Sequence, residues 1–130
     1  MTLTGTEVGQ GAADAAQSGS ERERWVYVCE LTALTLQRGV CALIEDAQIA
    51  MFRLSTHEVV AVGNLDPYSN AQVMSRGIIG DRNGVATVTS PVYKQSFDLQ
   101  TGECFDDPSV SIPVYAVRID GHRIQVRVSP

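Results

Sequence analysis

The chain has 130 residues, 44% of them apolar and 19% charged, with a formal net charge of -5 and a pI near 4.8. That length suits one domain with a core of its own. The acidic balance argues against a nucleic-acid partner, whose phosphates need clustered Lys and Arg, and no run of about 18 apolar residues is present to span a membrane.

The first 23 residues, "MTLTGTEVGQGAADAAQSGSERE", are rich in Gly, Ala, Ser and Thr and hold no aromatic residue. Such a segment buries too little surface to fold, so residues 1–23 are expected to form a disordered tail and residues 24–130 the domain. The segment lacks the basic start and apolar centre of a secretory signal. It also carries Glu7 and Asp14 before its first Arg, unlike an organellar transit peptide. The expected location is the cytoplasm.

From Trp25 onward, short strand-like segments alternate with turn signals. "WVYVCEL" is β-branched and aromatic, as strands prefer. "ALTLQRGV" follows, with its turn at Arg38-Gly39. "CALIED" and "QIAMFRL" are two more strands, broken near Asp46, and "HEVVAVGN" is another. "AQVMSRGIIGDRNG" has room for one helical turn before a Gly-rich bend at Gly80 to Gly84. In "VYAVRID", Tyr115, Val117 and Ile119 share one face. In "RIQVRV", Ile124, Val126 and Val128 share one face and Arg123, Gln125 and Arg127 the other, the period-two mark of a half-buried strand. Gly121 supplies the tight turn between them. No 3.6-residue period persists, so the fold class is all-β: an antiparallel sandwich or small barrel.

Cys29, Cys41 and Cys104 show no zinc spacing and are expected to be small buried side chains; a facing pair Cys29 and Cys41 is the alternative. His57 and His122 sit at strand edges or turns with no metal-ligand spacing around them. Trp25, at the start of the domain, is expected in the core. Ser90 has no Gly-x-Ser-x-Gly elbow and no His nearby, so a nucleophile is not expected there.

Two loops say more. "SPVYKQSFDLQTGEC" (Ser90 to Cys104) resembles the second cluster loop of Rieske domains, a Cys-Pro-x-His segment followed by an aromatic-Asp/Asn-x-x-Thr-Gly hairpin. Pro91, Phe97, Asp98, Thr101 and Gly102 keep that frame, while Ser90 and Tyr93 stand where the Cys and His belong. "NLDPYSN" (Asn64 to Asn70) resembles the first cluster loop, with Asp66 and Tyr68 in the ligand places and Pro67 kept. The resemblance implies a Rieske-like β domain with two loop hairpins at one end. Together with "DPYSNAQVMSRGIIGD", "SPVYKQSFDLQTGECFDD" and "VYAVRIDG", the chain is similar to the small subunits of assimilatory NAD(P)H-dependent nitrite reductases.

What that resemblance implies is a part in the reduction of nitrite to ammonium beside a large subunit that carries FAD, sirohaem and a four-iron cluster. This chain then holds no cofactor, no metal and no catalytic residue. A Rieske cluster needs two thiolates and two imidazoles; Asp66, Tyr68, Ser90 and Tyr93 offer a carboxylate, a hydroxyl and two phenols. Two readings of these four positions stay open. One is a polar–aromatic clasp that ties the loop tips together in place of the cluster. The other is ordinary loop residues, with Asp and Pro shaping turns and Tyr packing on the sheet. Arg76 and Lys94, near the loops, are candidate contacts to the large subunit. The alternative functions are a stand-alone β binding module and a ferredoxin-like oxygenase component.

Overall fold

The computed structural model describes residues 24–128. The tail expected over residues 1–23 lies outside these residues. Twelve strands and two short 3-10 turns make up the described chain: β1 (Arg24–Glu30), a 3-10 turn (Leu31–Ala33), β2 (Gly39–Ile44), β3 (Ala47–Ser55), β4 (Glu58–Gly63), β5 (Leu65–Asp66), β6 (Ala71–Gln72), a second 3-10 turn (Met74–Arg76), β7 (Ile78–Arg82), β8 (Val85–Thr89), β9 (Ser96–Asp98), β10 (Val114–Tyr115), β11 (Val117–Asp120) and β12 (Arg123–Val128).

The strands form a central four-stranded sheet, β10-β4-β3-β2, with a three-stranded sheet on each side, β1-β12-β11 and β7-β8-β9, and β5-β6 as a separate small hairpin. Alternation along β3 and β4 explains the layering. Ile49, Met51, Val59 and Ala61 belong to one core, with Val26, Val28, Ile124, Val126 and Val128 of the β1-β12-β11 sheet. Ala50, Phe52 and Val62 belong to the other, with Met74, Val88, Phe97, Leu99, Cys104 and Ile112. Because neighbours cover both faces of β3, its centre reads "IAMF" without a polar break. Burial of each Ile, Val, Leu, Met or Phe side chain there contributes about 1.5–3 kcal/mol.

The hairpin chemistry follows the local sequence. Ile44 pairs with Ala47 across Glu45 and Asp46, both at positive φ (49° and 72°), the two-residue turn that suits twisted strands. Asp120 pairs with Arg123 across Gly121 and His122, and β12 buries Ile124, Val126 and Val128 as its alternation predicts. His57 and His122 lie exposed in turns.

Several expectations need correction. "ALTLQ" is not a strand: Leu31–Ala33 is a 3-10 turn, Gln37 takes a positive φ of 65°, and Gly39 opens β2 instead of closing a turn. Gly80 lies within β7, paired with Thr87, and the bend falls at Asn83-Gly84 alone. Trp25 is half-buried on the outer face of its sheet, under the Arg118 guanidinium at 4.4 Å, because Val26 and Val28 take the inward positions. Cys29 and Cys104 are buried, but Cys41 is exposed, and all three are free thiols. No helix among the described residues is long and apolar enough to cross a membrane.

Candidate functional site

The two loops meet at one place. In the first, Asp66 ends β5 and pairs with Ala71 of β6, so the chain reverses over Pro67 to Asn70. Asn70 takes the left-handed region, φ 62°, and its amide donates to the Asp66 carbonyl at 2.7 Å. The Tyr68 amide donates to Asp66 Oδ1 at 2.8 Å, the local bond that makes Asp a turn former. In the second, Ser90 follows β8. Its amide donates to the Gln95 carbonyl, and Thr89 and Ser96 join hydroxyls at 2.7 Å. Lys94 turns the tip at φ 65° and donates its ammonium to the Pro91 carbonyl at 3.1 Å.

Ser90 and Asp66 connect the loops. Ser90 Oγ donates to Asp66 Oδ2 at 2.6 Å and accepts the Val92 amide at 3.2 Å. Ser69 Oγ donates to the same carboxylate oxygen at 3.0 Å. Asp66 and Ser90 are each 0% exposed. Burial alone pushes the Asp66 carboxyl up, but the bonds from Ser90, the Tyr68 amide and Ser69 outweigh it and hold the carboxyl below its ordinary range. A buried carboxylate is tolerable here because these donors replace its water.

The two tyrosines part. Tyr68 turns inward: its hydroxyl donates to Cys104 Sγ at 3.5 Å, and its ring lies 6.4 Å from that of Phe97. The bond to Cys104 and burial, with Cys104, Asp107 and Asp106 adding negative charge, push its phenol up to about 12. Tyr93 is 61% exposed and takes no part in the loop contact. The clasp geometry therefore joins Asp66, Ser90, Tyr68 and Cys104, with Tyr93 outside it. The frame of the second loop brings Cys104 there: Asp98 Oδ1 accepts the amides of Gln100 and Thr101, and Gly102, at φ 84°, lets the chain return so that Cys104 opposes Phe97.

Asn64 was also missed as a site residue. Only 2% exposed, it accepts the Ser75 amide on Oδ1 at 2.7 Å and donates from Nδ2 to Gln48 Oε1 at 3.2 Å. It pins the second 3-10 turn, and with it Arg76, onto β3. A polar residue closing the apolar run "VVAVGN" was the available signal.

The residues that the resemblance sets in the four ligand places, Asp66, Tyr68, Ser90 and Tyr93, do not suit an iron–sulfur cluster. The four ligand places hold oxygen donors where sulfide-bridged iron takes thiolate and imidazole, and the pair that replaces the two thiolates is spent on its own hydrogen bond. Among the described residues, no three of His, Cys, Asp and Glu gather closely enough to hold a metal ion.

Fold and loops together define a Rieske-type β scaffold whose two loops are joined at their bases by a serine–aspartate bond. The Rieske-like [2Fe-2S] domain model matches residues 24–127. The NADH nitrite reductase small subunit of Escherichia coli K12 is 36% identical over 105 residues, covering 80% of this chain and 97% of that one. A crystal structure of a Mycobacterium tuberculosis chain, assigned as an NADH-dependent nitrite reductase small subunit, is 50% identical with a TM-score of 0.79, covering 83% of this chain and 97% of that one. The NAD(P)H nitrite reductase large subunit of Klebsiella oxytoca is 36% identical over 102 residues, 78% of this chain but 11% of that one. The chain belongs to the Rieske-like domain family, in its nitrite reductase small-subunit branch.

Proposed function

We propose that this chain is a cofactor-free subunit that acts on nitrite reduction by contact with the large subunit, through the end that bears the two loops. The observation that carries this reading is the 2.6 Å bond between Ser90 and Asp66. It ties together the two loops that a cluster would otherwise hold. Loops on a rigid β scaffold commonly carry recognition.

The redox chemistry then belongs to the large subunit, for which FAD, sirohaem and a four-iron cluster are the expected carriers. Reduction of nitrite to ammonium takes six electrons, and the oxygen donors at Asp66, Tyr68, Ser90 and Tyr93 assemble no cluster to relay them. The Klebsiella oxytoca relative supports the pairing, because there a stretch similar to this domain is part of the large chain itself. Binding favours one state of the large subunit only by contacting it better than its alternatives. The free thiols suit a reducing compartment, the cytoplasm.

The test has two arms. Metal analysis and an electron paramagnetic resonance spectrum after dithionite should show no stoichiometric iron; a rhombic Rieske signal with about two irons per chain overturns the reading. Tagged chain should co-purify with the large subunit, raise its NAD(P)H-dependent nitrite turnover or stability, and reduce no nitrite alone.

A further inference from the structure

Beside the first loop, Arg38 and Arg76 line a groove of about 420 Å³ between the start of β2 and the start of β7, with Gly39, Ser75 and Ile79 in its wall and Ile78 at its rim. Its lining contains no acidic residue, although the chain as a whole carries a net charge of -5. The groove exists because two backbones come close: a Cβ on Gly39 would lie 2.2 Å from the Ser75 carbonyl oxygen. The left-handed Gln37, whose amide donates to the Arg53 carbonyl at 2.8 Å, then turns Arg38 toward the second 3-10 turn.

These two guanidiniums differ from the other cations. Arg24 pairs with Glu45. Arg53 donates to the carbonyls of Leu31, Leu34, Ser55 and Thr56. Arg82, Arg118 and Arg123 cover Phe105, Trp25 and Tyr27. Lys94 bonds Pro91, and Arg127 is engaged as well. Among the described residues, the side chains of Arg38 and Arg76 have no such partner. Ile78, next to them, is 70% exposed.

We infer that this groove is the docking site for an acidic segment of the large subunit, with carboxylates taken by Arg38 and Arg76 and an apolar side chain seated on Ile78. This rests on the subunit reading above and gives it a specific contact. The planar guanidinium fork matches a carboxylate with two parallel bonds, and Arg is enriched at interface centres. A free inorganic anion would leave Ile78 uncovered; a polypeptide segment with mixed acidic and apolar side chains answers both features. A face that is basic on an acidic molecule also steers an acidic partner and suppresses wrong ones.

The experiment titrates full-length large subunit against the full chain, wild type and Arg38→Glu/Arg76→Glu, at low and at physiological salt. Both arginines are exposed and unpartnered, so the double variant should melt with the wild type. Its affinity should fall on the order of tenfold or more, and the salt dependence seen for the wild type should flatten. Arg38→Gln/Arg76→Gln, which adds no repulsion, should fall in between, and Ile78→Ala should weaken binding with the salt dependence kept. Wild-type binding matched within about twofold by the charge-reversed variant would overturn the groove and leave the subunit reading standing. No binding of the wild type would overturn both.

Discussion

Ser90 donates to Asp66 at 2.6 Å across 24 positions of the chain, and neither side chain touches solvent. The resemblance to Rieske cluster loops gives each of them the place of a cysteine. The two loops are thus held at their bases by one charge-assisted hydrogen bond, supported by Ser69 and the Tyr68 amide. Bonds of this kind to an ionised acceptor are short and about twice as strong as neutral ones.

Ser90→Ala should therefore destabilise the domain by about 1.5–3 kcal/mol, the range for hydrogen bonds to charged groups. Asp66→Ala should cost more, since it also orphans the Tyr68 amide and Ser69. In urea denaturation, the double variant should cost less than the two single changes added, as residues in one network are not additive. Strict additivity would show that the bond contributes nothing.

Asp66 also makes stability depend on acid. Its folded pKa lies below the ordinary carboxylate value of about 3.9. The native state therefore binds this proton less readily than the unfolded chain. The stabilisation is complete above about pH 4 and is lost as pH falls through the folded pKa. Melting temperatures from pH 6 down to 2 should fall less steeply in Asp66→Asn than in the wild type, from a lower starting point. Parallel curves would contradict the assignment.

Tyr68 gives the alkaline counterpart. Its phenol is pushed up to about 12 by the Cys104 bond and by burial. The folded state holds this proton more tightly than the unfolded chain, so the contribution is full below about pH 10 and is lost as pH rises through the folded pKa. The difference in tyrosinate absorbance between wild type and Tyr68→Phe should rise only toward pH 12. Cys104→Ala should bring that rise to lower pH.

The two tyrosines should separate on mutation. Tyr93, 61% exposed, is replaceable by Ala within about 0.5 kcal/mol, the scale of surface changes. Tyr68→Ala should be clearly destabilising, because its ring packs with Phe97 against the loop-side core. Thermal melts of the two single variants decide it.

Gly39→Ala should cost about 1–3 kcal/mol, the usual cost of overpacking, since the new Cβ would meet the Ser75 carbonyl at 2.2 Å and the Phe52 ring at 2.5 Å. The same change should weaken large-subunit binding, because it pushes Arg38 and Arg76 apart. Normal stability with normal binding would show that β2 and the 3-10 turn separate freely.

What the sequence determined by itself is local. The alternation in "RIQVRV" set which side of β12 is buried, Gly121 and the Glu45-Asp46 pair set hairpins, and Asp98, Thr101 and Gly102 set the frame of the second loop. Each depends on neighbours a few positions apart, so backbone sterics and period suffice. The residue types at Asp66, Tyr68, Ser90 and Tyr93 likewise made the ligand set legible as oxygen donors. Only the tertiary structure decided that Asp66 meets Ser90, that Tyr68 turns in to Cys104 while Tyr93 faces water, and that Arg38 stands across a groove from Arg76. Those relationships join segments tens of residues apart. They are chosen when the sheets close over two cores on opposite faces of β3, and no local period records which faces will meet.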